Sequence, residues 1–192
     1  MKQLRSTCFS VLFVFSVCIF YSSCISKKKV ERLFTSTPAP FSIDAINGVY
    51  ANVPVVAEQK AFYRRPSPTL WEILDESNRY FKGFTKVSEA AEVSLTYLDN
   101  NRLKAVLIDS ASVKDSIVVK AKIYKDYLSI SKVVVVPVPV IFFHFQNVRI
   151  LLSTDTEGRL DAKYFKNHFI EIILAADVHE KSNFTYRKIR KS

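Results

Sequence analysis

Apolar residues occupy every second position in several stretches after Gly48, and this period of two constrains the fold more than any other feature. The clearest stretch is Asp115–Tyr124. Its alternate apolar residues are Ile117, Val119, Ala121 and Ile123. In Glu92–Leu98, Val93 and Leu95 alternate with polar residues in the same way. Such alternation is typical of strands with one buried face, so we expect these apolar side chains to line a core or a ligand cavity.

Clusters of turn-forming residues separate the alternating stretches at intervals of roughly 8–12 residues. The clearest clusters are Asp99-Asn100-Asn101, Lys125-Asp126 and Glu157-Gly158. Strands are predicted at Gly48–Val53, Glu92–Leu98, Arg102–Ile108, Asp115–Tyr124, Tyr127–Val136, Asn147–Ser153, Arg159–Tyr164, His168–Ala175 and Asn183–Ile189. Their spacing indicates an all-β fold, and the short connections favour an antiparallel, up-and-down barrel of about eight strands.

One short helix is predicted at about Pro68–Ser77. Ser67 is a capping residue and Pro68 suits the first helical position, while Thr69 and Glu72 match a capping box. The apolar stripe of this helix is Leu70, Trp71, Ile73 and Leu74. The helix would cover one mouth of a barrel, with Trp71 lining a ligand site. The alternative is a surface turn in which Trp71 is simply packed.

The most apolar stretch after Gly48 is Val133–Phe143, with the sequence VVVVPVPVIFF. It is too short to span a membrane as a helix. Pro137 and Pro139 exclude a central strand through its middle, because proline cannot donate to a sheet ladder. We therefore expect a strand that ends near Val136, followed by an extended apolar loop. That loop would be a flap over a cavity, a partner surface, a membrane-touching edge or an inner part of the core.

Residues 1–23 have the pattern of an export signal. Lys2 and Arg5 precede the apolar run Phe9–Tyr21, which contains no charged residue. Two alternatives stay open. The uncharged stretch Ser6–Ser26 is long enough to serve as an uncleaved membrane anchor, and an ordinary signal peptide would be cut near Ser23.

Small residues, Ser22 and Ser23, precede Cys24 at the end of the apolar run, and this arrangement resembles the lipobox of bacterial lipoproteins. The resemblance implies cleavage before Cys24 and acylation of its thiol and of its new amino group, which anchors the protein in a membrane. Residues 24–47 would then be a flexible tether, and residues 48–192 a β-barrel domain. Lys27-Lys28-Lys29 would lie near anionic headgroups or merely keep the tether soluble. In some lipoprotein families, acidic residues directly after the lipidated cysteine mark export to the cell surface. None is present here before Glu31, so the resemblance favours a periplasm-facing protein. We expect its anchor to lie in the outer membrane.

The ends of the domain resemble those of lipocalin-like barrels. Such barrels begin with a Gly-x-Trp motif, and a cation near the end of the last strand packs across that aromatic ring and helps to close the barrel. Here Gly48-Val49-Tyr50 stands on the first predicted strand, with Tyr50 in place of tryptophan, and Arg187 lies on the last. A cation on an aromatic face contributes about 0.5–2 kcal/mol. The resemblance implies that Gly48, Tyr50 and Arg187 close the barrel.

No catalytic or metal-binding signature is present. The sequence has no Gly-x-Ser-x-Gly elbow, and its three glycines are too scattered for a phosphate-binding loop. The three histidines do not show the spacing of a helical zinc site. We therefore predict neither a cofactor, nor a metal, nor an enzymatic activity. Acid–base pairs brought together by the sheet stay open, but no residue pattern nominates one.

Charge and export together point to the cell envelope. From Gly48 onward the chain has 22 basic and 16 acidic residues. An exported protein without a recognition motif is not expected to bind nucleic acid, so anionic lipid or an acidic partner is the better target. We expect a lipid-anchored protein that holds a small apolar or lipidic ligand in its barrel. The alternative is a structural or assembly lipoprotein that docks on another envelope protein.

Overall fold

The part of the chain that the structure describes folds mostly into antiparallel β-structure with two short helices. A computed structural model describes residues 40–60, 68–75, 87–138, 142–171 and 176–191. Its helices are α1 (Ile43–Ile46) and α2 (Leu70–Leu74). Its strands are β1 (Gly48–Ala51), β2 (Val56–Lys60), β3 (Glu92–Leu98), β4 (Arg102–Asp109), β5 (Ser112–Tyr124), β6 (Tyr127–Val138), β7 (Phe142–Thr154), β8 (Leu160–Glu171), β9 (Ala176–Tyr186) and β10 (Lys188–Arg190).

All ten strands belong to one sheet in the order β10-β1-β3-β4-β5-β6-β7-β8-β9-β2. Strands β3 to β9 pair each with the next in an up-and-down meander, which confirms the predicted all-β, antiparallel class. Nine segments were predicted for a barrel of about eight strands, and ten strands are described. Two predicted segments merge in β8, whereas β2 is added and the last predicted segment is divided between β9 and β10. The pairing order has two ends, so it does not by itself establish the closed barrel that the sequence predicts.

The three predicted turn clusters all join neighbouring strands. Asn100 and Asn101 link β3 to β4 with φ values of 66° and 57°, and Lys125 links β5 to β6 with φ 51°. Gly158, with φ 75°, lies between β7 and β8. These positive φ values are the ones that tight hairpins need, and Asn and Gly tolerate them best.

One tight turn was not predicted. Ser110 and Ala111 join β4 to β5 with φ values of 53° and 60°. Neither residue is a strong turn former, so the sequence gives no clear signal there. The Ser112 hydroxyl donates to the Asp109 carbonyl at 2.9 Å and supports the turn. As a result β4 and β5 extend further towards each other than the sequence predicts.

The predicted strand boundaries were wrong between β7 and β10. Arg159–Tyr164 and the first part of His168–Ala175 form one continuous strand, β8, and residues 172–175 lie outside the described part. The pairing with β7 continues without a break through Asn147 and Asn167, which removes any need for a turn there. The predicted strand Asn183–Ile189 is instead the end of β9, a single residue, and β10.

Most of the apolar stretch Val133–Phe143 belongs to β6 and β7, so the strand continues beyond its predicted end near Val136 and the apolar loop is shorter than predicted. Strand β6 continues through Pro137, which pairs with Phe143 of β7. Proline is tolerated because β5 pairs with β6 only from Ile130 back to Tyr127, so the rest of β6 has a partner on one side alone. Residues 139–141 lie outside the described part.

A single apolar core lies between the inward faces of the strands and the two helices. Its strand residues include Tyr50, Val93, Leu95, Leu103, Ala105, Val119, Leu128, Ile150, Tyr164 and Phe184. Helix α1 contributes Ile46 and lies against β3 and β7, while α2 lies near β4. The period-two pattern therefore places one face of nearly every strand in the core.

Candidate functional site

Helix α2 is fixed against the end of β1 by a small network of hydrogen bonds. The Thr69 hydroxyl accepts from the Glu72 amide at 3.2 Å, and the Glu72 carboxylate accepts from the Thr69 amide at 2.8 Å. This confirms the predicted capping box. Asn52 then receives the next two amides: its backbone carbonyl accepts from Leu70 at 2.8 Å, and its side-chain oxygen accepts from Trp71 at 2.9 Å.

The helix is inserted into the core rather than lying on the surface. Its apolar residues Leu70, Trp71, Ile73 and Leu74 are all buried. Tyr186 of β9 reaches the same region, and its hydroxyl donates to the Pro68 carbonyl at 3.4 Å. Burial, and secondarily the Glu72 carboxylate, raises the pKa of Tyr186, so this phenol keeps its proton.

Most of the residues predicted to line a core or a cavity do face the interior. Trp71, Val93, Leu95 and Val119 belong to the buried core, and Ile117 packs against it from the side. Ile123 is different, since 47% of it is exposed. It has the correct parity and pairs with the buried Leu128, but it lies two residues before the Lys125-Asp126 turn, where its own side chain stays exposed. The prediction for Ile123 as a lining residue is therefore corrected.

A row of charged residues crosses the inner face of the sheet just above the apolar core. Lys132 of β6 pairs with Val148 of β7, Val148 pairs with Lys166 of β8, and Lys166 pairs with Glu180 of β9. The next row towards the core contains Ile130, Ile150 and Tyr164, which are all buried. Because neighbouring strands lie about 4.8 Å apart, the two lysines are about 10 Å apart at the backbone.

We call Lys132, Gln146, Lys166 and Glu180 the inner polar row. Lys166 is only 7% exposed and Gln146 is fully buried. The Lys132 ammonium donates to the carbonyl of Leu74, the last residue of α2. A buried lysine is costly unless polar groups or a counter-charge surround it. The row therefore combines cationic and amide donors with an adjacent apolar wall, which suits a ligand with an anionic head and an apolar body.

The ends of the sheet meet differently from the expected arrangement at Gly48, Tyr50 and Arg187. The cation over the Tyr50 ring is Lys188, whose Nζ lies 5.4 Å from the ring centroid. Arg187 is exposed, and only its backbone carbonyl takes part, accepting from the Ala51 amide at 2.9 Å. Tyr50 pairs with Lys188 in the register of β1 and β10, so the side chain of Arg187 points away. The prediction for the Arg187 side chain is thus corrected to Lys188.

Gly48 allows β10 to lie close to β1 at this junction. A Cβ on Gly48 would overlap the Cε of Lys188 and lie 3.1 Å from the Arg190 carbonyl oxygen. The Tyr50 hydroxyl lies 2.8 Å from the Ile46 carbonyl and 3.0 Å from that of Ala45, which lets it donate to the end of α1. Burial raises the pKa of Tyr50, so this donor remains protonated.

Several predictions concern residues that the structure does not describe. Cys24, the signal segment 1–23 and the tether up to Ala39 lie outside the described part of the chain. Neither described helix has the length and apolarity needed to cross a membrane. Among residues 40–60, 68–75, 87–138, 142–171 and 176–191, no three His, Cys, Asp or Glu side chains cluster as a metal site.

Sequence reasoning missed the inner polar row and Asn52. A signal for the row was present, since Lys132 continues the alternation of Leu128 and Ile130, and Lys166 continues that of Ala162 and Tyr164. A lysine at an apolar-parity position indicates a functional or capping role when the strand is long enough to leave the core. Asn52 had no such signal, because its partner lies 19 residues later.

Comparisons of the chain with protein-family models, with curated proteins and with solved structures find no match.

Proposed function

We propose that this chain is a non-enzymatic lipoprotein of the cell envelope whose β-domain closes into a barrel and binds a small apolar or lipidic ligand. In this proposal Cys24 carries the lipid anchor, and the domain faces the periplasm from the outer membrane. The tether lies between Cys24 and helix α1, which is shorter than the predicted range 24–47, because α1 packs Ile46 into the core. The observation that supports ligand binding is the inner polar row beside the apolar core. Its chemistry favours an amphipathic anion, such as a fatty acid or an acidic lipid.

Closure of the barrel is supported by the contacts between the first and last strands. Only Arg187 separates β9 from β10, so these two strands are nearly one. Strand β1 pairs with β10, and β2 pairs with β9. The Ala51 amide donates to Arg187 and the Val55 amide donates to Thr185 at 2.8 Å, so the chain from β1 to β2 follows the β9–β10 edge throughout. Hydrogen bonds between the first and last parts of a sheet favour its closure into a barrel.

Ligand binding is supported by the change of chemistry along the inner face. Apolar pockets with a few convergent polar groups are the usual form of small-molecule sites. Lys132 and Lys166 provide cations on either side of Val148, and Gln146 provides an amide. A hydrogen bond to a charged group contributes about 1.5–3 kcal/mol, so one lysine is enough to select an acidic head over a neutral one.

Ligand binding is tested by native mass spectrometry of the full chain purified from membranes in mild detergent. We expect a bound species that organic solvent extracts and that proves to be a lipid or a fatty acid. Lys166→Met should lower the occupancy of an acidic ligand about tenfold, because it removes one charged hydrogen bond. Lys114→Met, which removes an exposed lysine near the start of β5, is the matched control. Protein that carries no ligand in either form would refute the proposal.

The anchor is tested separately by metabolic labelling with palmitate. We expect label on the wild-type chain and none on Cys24→Ser. A Cys8→Ser change, which removes a cysteine from the segment before the lipobox, should leave the label in place. Label that survives the change at Cys24 would contradict the lipoprotein assignment without affecting the ligand test.

A second candidate function is assembly with another envelope protein, and one observation favours it. Among the strands that the structure describes, β4 alone pairs with β5 over Ser112–Lys120, because β6 joins it from Ala121 onward. The open edge carries Val113 and Val118, which are 68% and 53% exposed. Such an edge accepts an extended segment of a partner by strand addition.

Cross-linking in intact membranes tests this second candidate. A photoreactive residue in place of Val113 should capture a partner protein, whereas the same residue in place of Glu89, which is exposed outside the strands, should not. Recovery of uncross-linked chain from both positions would count against an assembly role.

A further inference from the structure

Four cations lie together on the outer face of strands β4 and β5. We call Arg102, Lys104, Lys120 and Lys122 the basic face. Arg102 pairs directly with Lys120, and Lys104 pairs with Val118. Lys122 continues the same side of β5 beyond Lys120 and pairs with Ser129 of β6. All four cations are exposed.

Like charges directly opposite each other on neighbouring strands destabilise a sheet. The Cβ atoms of such a pair are about 5 Å apart, and residues two apart on one strand are separated by about 7 Å. The basic face thus concentrates four positive charges in a patch about as wide as a few lipid headgroups. A counter-charge would relieve the repulsion between Arg102 and Lys120.

The described part of the chain does not supply that counter-charge. No ion pair joins any member of the basic face to another described residue. The outward acidic residue of β3, Glu92, lies at the far end of the strand and binds Arg190 at 2.8 Å. Asp99 and Asp126 lie in the turns that flank the basic face, not on its strands.

We propose that the basic face of β4 and β5 docks on an anionic phospholipid bilayer and sets the orientation of the domain on the membrane. This inference rests on the lipid anchor of the proposed function, because the anchor keeps the domain within reach of the headgroups. Val118 lies among the cations and is 53% exposed, so an apolar side chain enters the headgroup layer with them. Headgroup phosphates supply the missing negative charge.

Docking in this orientation leaves the inner polar row unobstructed. The inner row lies on the core face of β6 to β9, whereas the basic face is on the outside of β4 and β5. The same bilayer would therefore hold the protein through one surface while the interior stays free for a ligand.

Amine footprinting on the wild-type chain tests the proposal with internal controls. The acylated protein is placed in vesicles of phosphatidylcholine, with or without roughly 30% phosphatidylglycerol, and treated with an acetylating reagent. We expect the anionic vesicles to slow acetylation of Lys104, Lys120 and Lys122 several-fold. Lys114 and Lys191 are exposed lysines away from the basic face and should react equally in both vesicles. About 1 M NaCl, where the Debye length is about 3 Å, should abolish the protection.

A pair of variants tests the same point by binding. Lys120→Gln with Lys122→Gln should weaken partition to anionic vesicles about tenfold, because each lysine near such a surface favours binding. Lys114→Gln with Lys191→Gln removes the same charge and should have little effect.

Equal acetylation of the basic face in both vesicles, or equal weakening by the two double variants, would overturn the proposal. Protection by a membrane-protein extract but not by lipid vesicles would also overturn it, in favour of a protein partner. A chain that does not bind neutral vesicles would contradict the lipid anchor. Protection of the basic face by phosphatidylglycerol would still support docking on anionic lipid.

Discussion

The ammonium of Lys188 lies 5.4 Å from the centroid of the Tyr50 ring and donates to the Ala45 carbonyl at 2.8 Å. One side chain on the short last strand thus contacts both the first strand and helix α1. Tyr50 is fully buried, and its hydroxyl is directed to the end of the same helix. Desolvation, and then repulsion from Lys191, lowers the pKa of Lys188. The pair therefore joins the two ends of the domain at one point.

The first prediction is that Lys188 stabilises the fold and Arg187 does not. Lys188→Gln removes a cation–aromatic contact and a charged hydrogen bond, so the free energy of unfolding should fall by about 1–2 kcal/mol. Arg187→Gln should change it by less than about 0.5 kcal/mol, since only the backbone of Arg187 takes part. Urea denaturation of both variants measures the difference. Equal losses would contradict the role of Lys188.

The second prediction concerns Gly48. Gly48→Ala places a methyl group against Lys188 Cε and 3.1 Å from the Arg190 carbonyl oxygen, so the Lys188 side chain must leave its position and the contact between β1 and β10 loosens. We expect a loss of about 1–3 kcal/mol, the usual cost of overpacking. Gly158→Ala is the matched control: its φ of 75° is strained for alanine, but nothing lies within 4 Å of the new methyl group. Combining Gly48→Ala with Lys188→Ala should recover part of the loss, because the overlapping side chain is then absent.

Most of the meander was predictable from the sequence, because the turns between its strands depend on short-range signals. Asn100, Asn101 and Gly158 are residues that tolerate a positive φ, so their turns were predictable. Ser110 and Ala111 adopt the same conformation without the propensity, held by the pairing of β4 with β5, so their turn was not. The break predicted within β8 failed for a similar reason, because pairing with β7 decides how far the strand continues.

The site was less predictable because it depends on which residues face each other across strands. Parity alone placed Val93 and Val119 in the core correctly, but it also assigned Ile123, whose side chain is exposed although its partner Leu128 is buried. The closing cation was placed on Arg187 by resemblance, whereas the one-residue offset between β9 and β10 brings Lys188 over the ring. Registers of this kind involve residues far apart in the chain, where no local pattern records them.

The third prediction is that Asn52 fixes helix α2. Asn52→Ala removes the acceptor of the buried Trp71 amide and leaves that amide without a partner, which costs about 1–3 kcal/mol. Thr69→Ala removes the cap at the same end of the helix and should cost about 1 kcal/mol. Near-ultraviolet circular dichroism and tryptophan fluorescence report on Trp71, the only tryptophan. An Asn52→Ala protein with wild-type fluorescence and stability would contradict this role.

The fourth prediction uses the titration of Asp161. Its carboxylate accepts from the Thr185 hydroxyl at 2.7 Å, but burial, the larger influence, raises its pKa in the folded protein. A carboxyl whose folded pKa is raised contributes stability at low pH and loses it as the pH rises through the folded pKa. Asp161→Asn keeps an oxygen that accepts from Thr185 and cannot ionise. The variant should therefore gain stability relative to wild type between about pH 4 and pH 7.

The difference between the two proteins isolates Asp161, because all other titrating groups are shared by wild type and variant. Thermal or urea unfolding over this pH range should show a gap that opens in favour of Asp161→Asn and closes below about pH 4, where both side chains are neutral. A gap for Asp161→Asn that opens towards low pH would mean that the charged carboxylate stabilises the fold. The hydrogen bond from Thr185 would then outweigh desolvation at this position.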